Sequence, residues 1–371
     1  MATFDRYALH GEIASGGTAS VYFGRVRGSG GFRRVVAVKR LHAELAKDAQ
    51  FRAMLLDEAR VAARIRHPNV VPVLDVVDHA DELCLVMEYV PGLSLSRLRV
   101  DAIERGLTVP PAIAVAIAVD ALRGLHAAHE AAGADGQPLH LVHRDVSPQN
   151  VIVGADGIAR VVDFGIAKAA GSAQTTRVGD VKGKAAYMAP EQLRGETVDR
   201  RCDVFAAGIV LWELLCSTRL FAANSPAASM MRILEVEPQA PSEFVTGVAP
   251  ALDAAILRSL SRDRDKRFAT AEAMADALQA AIVVATARVV AAWVEEIGGE
   301  KLRARAAEVT AIEALEDPLA APQPLVAEPS FASRRSAAPR LRLLGALAAA
   351  ALAGLAARSV IHARDVTVES H

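Results

Sequence analysis

Two short runs constrain this chain more than anything else in it: His143-Arg144-Asp145-Val146-Ser147-Pro148-Gln149-Asn150 and, thirteen residues after Asn150, Asp163-Phe164-Gly165. Each follows an apolar, strand-like run, so a potential proton acceptor and two metal ligands fall in adjoining loops. An Asp that receives a hydroxyl proton, beside an Asn and a second Asp that hold a cation against phosphates, suits phosphoryl transfer from a magnesium nucleotide. A lone Asp-Phe-Gly would mean little; the order and spacing of the two runs carry the weight.

At 371 residues the chain exceeds what one compact globular unit needs, and one two-lobed domain with an appendage is the natural reading. A net charge of -1 argues against general nucleic-acid binding. Cys84, Cys202 and Cys216 lie scattered in apolar or helical contexts without CxxC spacing. They are expected to be reduced core thiols, with neither a disulfide framework nor a zinc site. Asp5 and Arg6 stand close to Met1 with no apolar segment after them, so no secretory signal is read and synthesis into the cytoplasm is expected.

Up to Val90 the sequence reads as strands around one helix. Val21 to Val26, Val35 to Lys39 and Leu83 to Tyr89 are β-rich. Phe51, Leu55, Ala59, Ala62 and Ile65 recur at three- and four-residue steps, which predicts a helix from about Ala49 to Arg66, ended by His67-Pro68-Asn69. Beyond Pro91-Gly92 the character turns mainly helical: Pro110-Pro111 opens an Ala-rich helix to about His129, Asp203 to Cys216 forms another, and Thr270 to about Val284 a third.

Helical character continues over 286–317 as an extension or a dimerising helix. Residues 318–342 read as a Pro/Ala-rich linker and then a basic cluster of Arg334, Arg335, Arg340 and Arg342. The uncharged run Leu343 to Ala357 is fifteen residues long, below the roughly 20 that cross a bilayer. Continued to Ile361 with Arg358 snorkelling, 343–361 is a candidate single-pass anchor, with the arginines keeping the preceding domain inside and 362–371 as a short tail. An Ala-rich helix packed on the domain or on another copy has nearly equal weight.

From about Tyr7 to Ala285 the chain resembles the protein kinase superfamily, closest to the bacterial serine/threonine kinases of eukaryotic (Hanks) type. The resemblance rests on several motifs in order. It implies an α+β bilobal fold, with a small β-rich N-lobe (1–90) containing one main helix and a larger, mainly helical C-lobe (91–285). Ala14-Ser15-Gly16-Gly17-Thr18-Ala19-Ser20-Val21 occupies the place of the Gly-rich loop; Gly16 matches its second glycine, while Ala14 and Ala19 replace the first and third. In Val36-Ala37-Val38-Lys39, strand alternation puts Ala37 and Lys39 on one face. Glu58 projects near the apolar stripe of its helix and wants a cationic partner. The resemblance supplies Lys39, which binds the nucleotide phosphates and pairs with Glu58 when the helix is positioned for activity.

The same resemblance makes Leu85 to Val90 the strand and hinge between the lobes. Backbone groups of Glu88 and Val90 would bond adenine, Val21, Ala37 and Ile152 would sandwich the ring, and Met87 would gate the rear pocket. Asp145 is the proton acceptor, Asn150 and Asp163 the ligands of Mg2+ (or Mn2+) on ATP, and His143 a support for the loop. Asp203 would brace the catalytic-loop backbone, and Arg267 would pair with Glu191. Between Gly165 and Ala189 lies the activation loop, with Thr175 and Thr176 as candidate phosphosites and Arg144 as a cation for one of them.

Two departures from the family pattern belong together. Ser147 stands where the family has a lysine, and Lys184 stands where it has a threonine ahead of Ala189-Pro190-Glu191. Their roles are expected to be swapped, with Lys184 supplying the charge and Ser147 the hydroxyl. The reading is a protein kinase that moves the ATP γ-phosphate to serine or threonine hydroxyls of proteins. Its rival is a pseudokinase or scaffold that binds nucleotide or partners with little turnover.

Overall fold

A sheet of six antiparallel strands, ordered β1-β2-β3-β4-β6-β5, forms the N-lobe: β1 (Thr3–Phe4), β2 (Tyr7–Ser15), β3 (Ala19–Arg27), β4 (Arg33–Leu41), β5 (Val73–His79) and β6 (Glu82–Glu88). The computed structural model describes residues 3–4, 6–28, 33–47, 49–79, 82–133, 135–164 and 185–315, and these belong to one compact unit that ends at Leu315. The candidate anchor at 343–361 and its linker lie outside the described residues. Alternation in β4 divides its side chains as its sequence dictates. Val36 and Val38 pack with Tyr7, Leu9, Cys84 and Val86 on one face, while Ala37 and Leu41 join Leu85 and Met87 on the other.

Helix α1 (Ala43–Ala46) leads into α2 (Ala49–Ala62), which is shorter than the helix to Arg66 that the periodicity predicts. The last turn tightens instead: Arg64 N–H bonds to Val61 O and Ile65 N–H to Ala62 O. This turn drops Ile65 into the C-lobe core beside Val70 and lets Pro68 follow in its favoured extended geometry.

The C-lobe is built on two helices that are apolar all round, as helices buried on every side must be. These are α4 (Pro111–His129) and α6 (Arg201–Cys216). Helix α3 (Leu95–Glu104), whose N–H of Arg97 is capped by Ser94 Oγ, precedes them. A small sheet, β7 (Gly92–Ser94), β8 (Val151–Gly154) and β9 (Ala159–Val161), carries the catalytic loop. Around the centre lie α5 (Pro190–Leu193), α7 (Pro226–Glu235), α8 (Pro250–Ser259) and α9 (Ala271–Ala281). Helix α9 stops three residues short of Val284 because Ile282 turns extended, with φ of -152.

Glycine matters at one crossing. A Cβ on Gly124 of α4 would lie 2.3 Å from Asn69 O, so only glycine lets the helix approach there. Asn69 in turn holds β9 through Val161 N–H to its carbonyl (2.9 Å) and its own Nδ2 to Ala159 O (2.9 Å).

The extension read over 286–317 is helix α10 (Ala287–Ala314), and it packs on the domain rather than standing apart. Val290, Trp293, Val294 and Ile297 enter the C-lobe core, and Ile312 packs with Phe23 and Val35 of the N-lobe sheet. Its apolar face is thus occupied within its own chain. Cys84 and Cys202 are buried free thiols and Cys216 a half-buried one.

Candidate active site

The catalytic loop hangs from one buried carboxylate. Asp203, in the first turn of α6, accepts the N–H of His143 on Oδ2 and the N–H of Arg144 on Oδ1, both at 2.8 Å. Nε2 of His129, at the end of α4, stands 2.8 Å from the same Oδ2. Burial pushes the Asp203 carboxyl up, but the His129 bond, the nearby imidazoles and the His143 N–H together hold it below the usual carboxylate range. The two pinned amides sustain a left-handed conformation at Arg144, φ 60, which costs a non-glycine residue free energy.

His143 is fully buried and links the two motif loops. Its Nε2 donates to Val162 O at 3.0 Å, which leaves Nδ1 to accept the N–H of Asp145 at 3.2 Å. Its ring lies 4.9 Å from that of Phe164. Val162 N–H also donates to Asn150 O at 3.0 Å, so the residue before Asp163 is tied to the loop that carries Asn150. Asp163 itself is left-handed, φ 58.

Asn150 donates from Nδ2 to the carbonyl of Asp145 (2.8 Å) and to its Oδ2 (3.2 Å). Lys39 Nζ stands 2.8 Å from Asp163 Oδ1. The contact is an ion pair in which the Lys39 ammonium neutralises the Asp163 carboxylate. The fold therefore gathers Lys39, Asp145, Asn150 and Asp163. Ser147 is buried beside them, and its hydroxyl has no hydrogen-bond partner among the described residues.

On the N-lobe wall, Val21, Ala37, Met87 and Val90 share one apolar cluster, which also takes in Ile13 and Val162. Ala14 pairs with Val21 across the hairpin, and Gly16 N–H closes the turn on Ala19 O at 3.0 Å. Gly17 lies at the tip of that turn. Glu88 N–H is engaged by Pro72 O at 3.0 Å, and its carboxylate pairs with Arg34 at 2.8 Å. Ile152 is half-buried in β8 opposite Ser94, apart from that cluster. The side chain of Glu58 and all of Lys184, Thr175 and Thr176 lie outside the described residues.

Glu191 and Arg267 form a buried fork-to-fork pair, Nη1 to Oε1 at 2.7 Å and Nη2 to Oε2 at 2.8 Å. Arg267 donates further to the carbonyls of Ser261, Arg201 and Arg262. Gln192, missed by the sequence reading, donates from Nε2 to Arg144 O at 3.1 Å and accepts Ala189 N–H on Oε1. Ile13 and His129 were missed too; Ile13 directly precedes Ala14, and that adjacency was the available signal. Tyr187 donates to buried Glu213 at 2.8 Å, and burial raises both groups' pKa.

These residues fit a cation carried by a phosphate ligand. Asp163 presents a carboxylate whose Oδ1 already draws a cation, the Lys39 ammonium at 2.8 Å, and Asn150, whose Nδ2 is committed to Asp145, keeps Oδ1 as an acceptor. Among the described residues no group of three or more His, Cys, Asp or Glu could hold a metal alone. A hard cation here would need oxygens from its ligand, as magnesium on nucleotide phosphates has.

The protein kinase domain family matches residues 7–278. The chain is 40% identical to the tyrosine-protein kinase MasK of Myxococcus xanthus over 74% of its own length and 42% of the relative's. It is 37% identical to a probable serine/threonine-protein kinase of Streptomyces coelicolor, over 72% of this chain and 39% of that protein. The chain thus spans about two fifths of these curated relatives. The crystal structure of the Mycobacterium tuberculosis PknI kinase domain superposes with a TM-score of 0.57 at 26% identity, covering 76% of this chain and 98% of that one.

Proposed function

The chain belongs to the protein kinase domain family, and from that premise we propose that it transfers the γ-phosphoryl group of ATP to serine or threonine hydroxyls of proteins. The observation that carries the reading is the connected set in which Lys39 meets Asp163, Val162 meets Asn150, and Asn150 meets Asp145. Asp163 and Asn150 would hold magnesium, which when bound would supply the positive charge that offsets the phosphates. Asp145 orients the acceptor hydroxyl and takes its proton, with Asn150 fixing its carboxylate. Lys39 steadies the phosphates from the N-lobe side. Ile13, Val21, Ala37 and Val90 form the apolar wall for the base, and the Glu88 carbonyl and Val90 backbone offer polar contacts at its edge.

The hydroxyl of Ser147, without a partner among the described residues, supports the exchange of roles with Lys184, in which the lysine would restore the missing positive charge. Lys184→Ala is then expected to depress turnover far more than Ser147→Ala, and equal, trivial losses would count against it. Thr175 and Thr176 are the proposed autophosphorylation sites. The uncharged run behind the arginine cluster supports membrane attachment through 343–361, with the kinase domain on the cytoplasmic side. Full-length chain should pellet with membranes and a truncation before Leu343 should not.

Radiolabel transfer from ATP with magnesium tests the main reading. Asp145→Asn should lose about 100-fold or more in rate. No difference from wild type would favour the scaffold, and phosphotyrosine as the sole product would overturn the acceptor class.

A further inference from the structure

Helix α10 lies beyond the residues that the family matches, yet it reaches the nucleotide cleft. Its first half is fixed to the C-lobe: Val290, Trp293, Val294 and Ile297 are in the core, Lys301 Nζ pairs with buried Asp101 at 2.6 Å, and Arg105 donates to Glu296 O at 2.7 Å. Its last turns are fixed to the N-lobe. Val309 and Ile312 pack with Ile13, Phe23, Val35 and the hinge residue Tyr89. The Arg25 guanidinium donates to the carbonyls of Ile312 and Leu315, where the helix dipole favours a cation.

Arg305 sits between these two anchorages. Its Nη1 donates to Gly92 O at 2.9 Å, immediately past the hinge, and its Nη2 reaches Ile13 O at 3.5 Å, a longer and weaker bond. Ile13 belongs to the apolar cluster of Val21, Ala37, Met87 and Val90 and leads directly into the Gly-rich turn. One planar guanidinium therefore joins the two walls of the cleft, a geometry that a flexible point donor does not reproduce. One turn further on, Glu308 lies against the same strand: a Cβ on Gly11 would fall 2.0 Å from its Oε1.

We infer that Arg305 is a positioning residue for the nucleotide, setting the distance between Ile13 and the hinge without touching the reacting atoms. The inference rests on the kinase reading above. It assigns to a segment outside the matched region a share of the affinity for adenine nucleotides.

The test uses the full chain with Arg305→Ala, Arg305→Lys and, as control, Arg303→Ala, which removes an exposed side chain paired with Glu295. Three quantities are read: ADP affinity by calorimetry, KM for ATP against kcat, and amide exchange at 12–15 and 92–94 without nucleotide. Arg305→Ala should weaken ADP binding and raise KM by about tenfold, with kcat within about twofold. Exchange should quicken in both segments together. Arg305→Lys should recover only part of the loss, and Arg303→Ala should match wild type. Unchanged ADP affinity in Arg305→Ala, a loss confined to kcat, or full recovery by lysine would overturn the inference while the kinase reading stands. Wild-type chain that binds no ADP would overturn both.

Discussion

On the C-lobe side of the cleft, catalytic-loop atoms are held by charges removed from water: Asp203 takes two backbone amides and His129, and Glu191 and Arg267 lock the segment after the activation loop. On the N-lobe side, the polar contacts are few and wetter. Lys39 and Asp163 each keep about a fifth to a quarter of their side-chain surface, and Glu88 meets Arg34 in solvent. Under the proposed function the difference separates two jobs. A proton acceptor at Asp145 would need a fixed floor, whereas a wall that admits and releases nucleotide would have to move, and weak polar contacts over an apolar patch would let it do so.

The contrast is broken most directly at Arg267. Arg267→Met leaves Glu191 buried and unpaired, and about 3–5 kcal/mol should be lost in chemical denaturation. A loss below about 1 kcal/mol would mean that the floor is not held by this pair. Asp203→Asn comes next, at about 2 kcal/mol, because one of the two oxygens that accept backbone N–H groups becomes a donor amide facing an N–H, and the other acceptor loses its charge.

Asp203 also sharpens the comparison through pH. Its carboxyl is depressed in the folded state, so its contribution is fully present above the unfolded value of about 3.9 and is lost as pH falls through the lower folded value. Melting followed from pH 6 downward should show a shallower acid loss in Asp203→Asn than in wild type. The smallest effect belongs to the N-lobe. Arg34→Ala removes a pair whose side chains are 49% and 39% exposed, and it should cost less than about 1 kcal/mol. A larger cost would erase the distinction between the walls.

Much of the C-lobe floor could be read in the chain because its chemistry is written in contiguous runs. Asp145, Asn150 and Asp163 are named by neighbours in sequence, and β4 declares the face of Lys39 by simple alternation. The supports are harder to see. His129 closes an Ala-rich helix with nothing beside it to suggest a carboxylate partner, since Asp203 arrives from another helix. Gln192 looks like any polar residue after Pro190-Glu191 until its amide meets Arg144 O. Helix α2 ends early because Ile65 is drawn into a core assembled mostly from residues beyond it, which no local period reports. Arg305 is one of several cations on an alternating surface, and only its meeting with Gly92 and Ile13 sets it apart.

The seating of α10 sets where a shortened chain can be cut and still stay in solution. Ending it near Val284, where the recognisable motifs run out, would strip Val290, Trp293, Val294 and Ile297 from the core that holds Leu93 and Leu98, and Ile312 from Phe23 and Val35. The seat is close-fitting, since a methyl group on Gly298 would lie 2.2 Å from Leu93 Cδ1. A bared apolar trough of that kind invites clumping during expression. A cut just past Leu315 keeps it roofed.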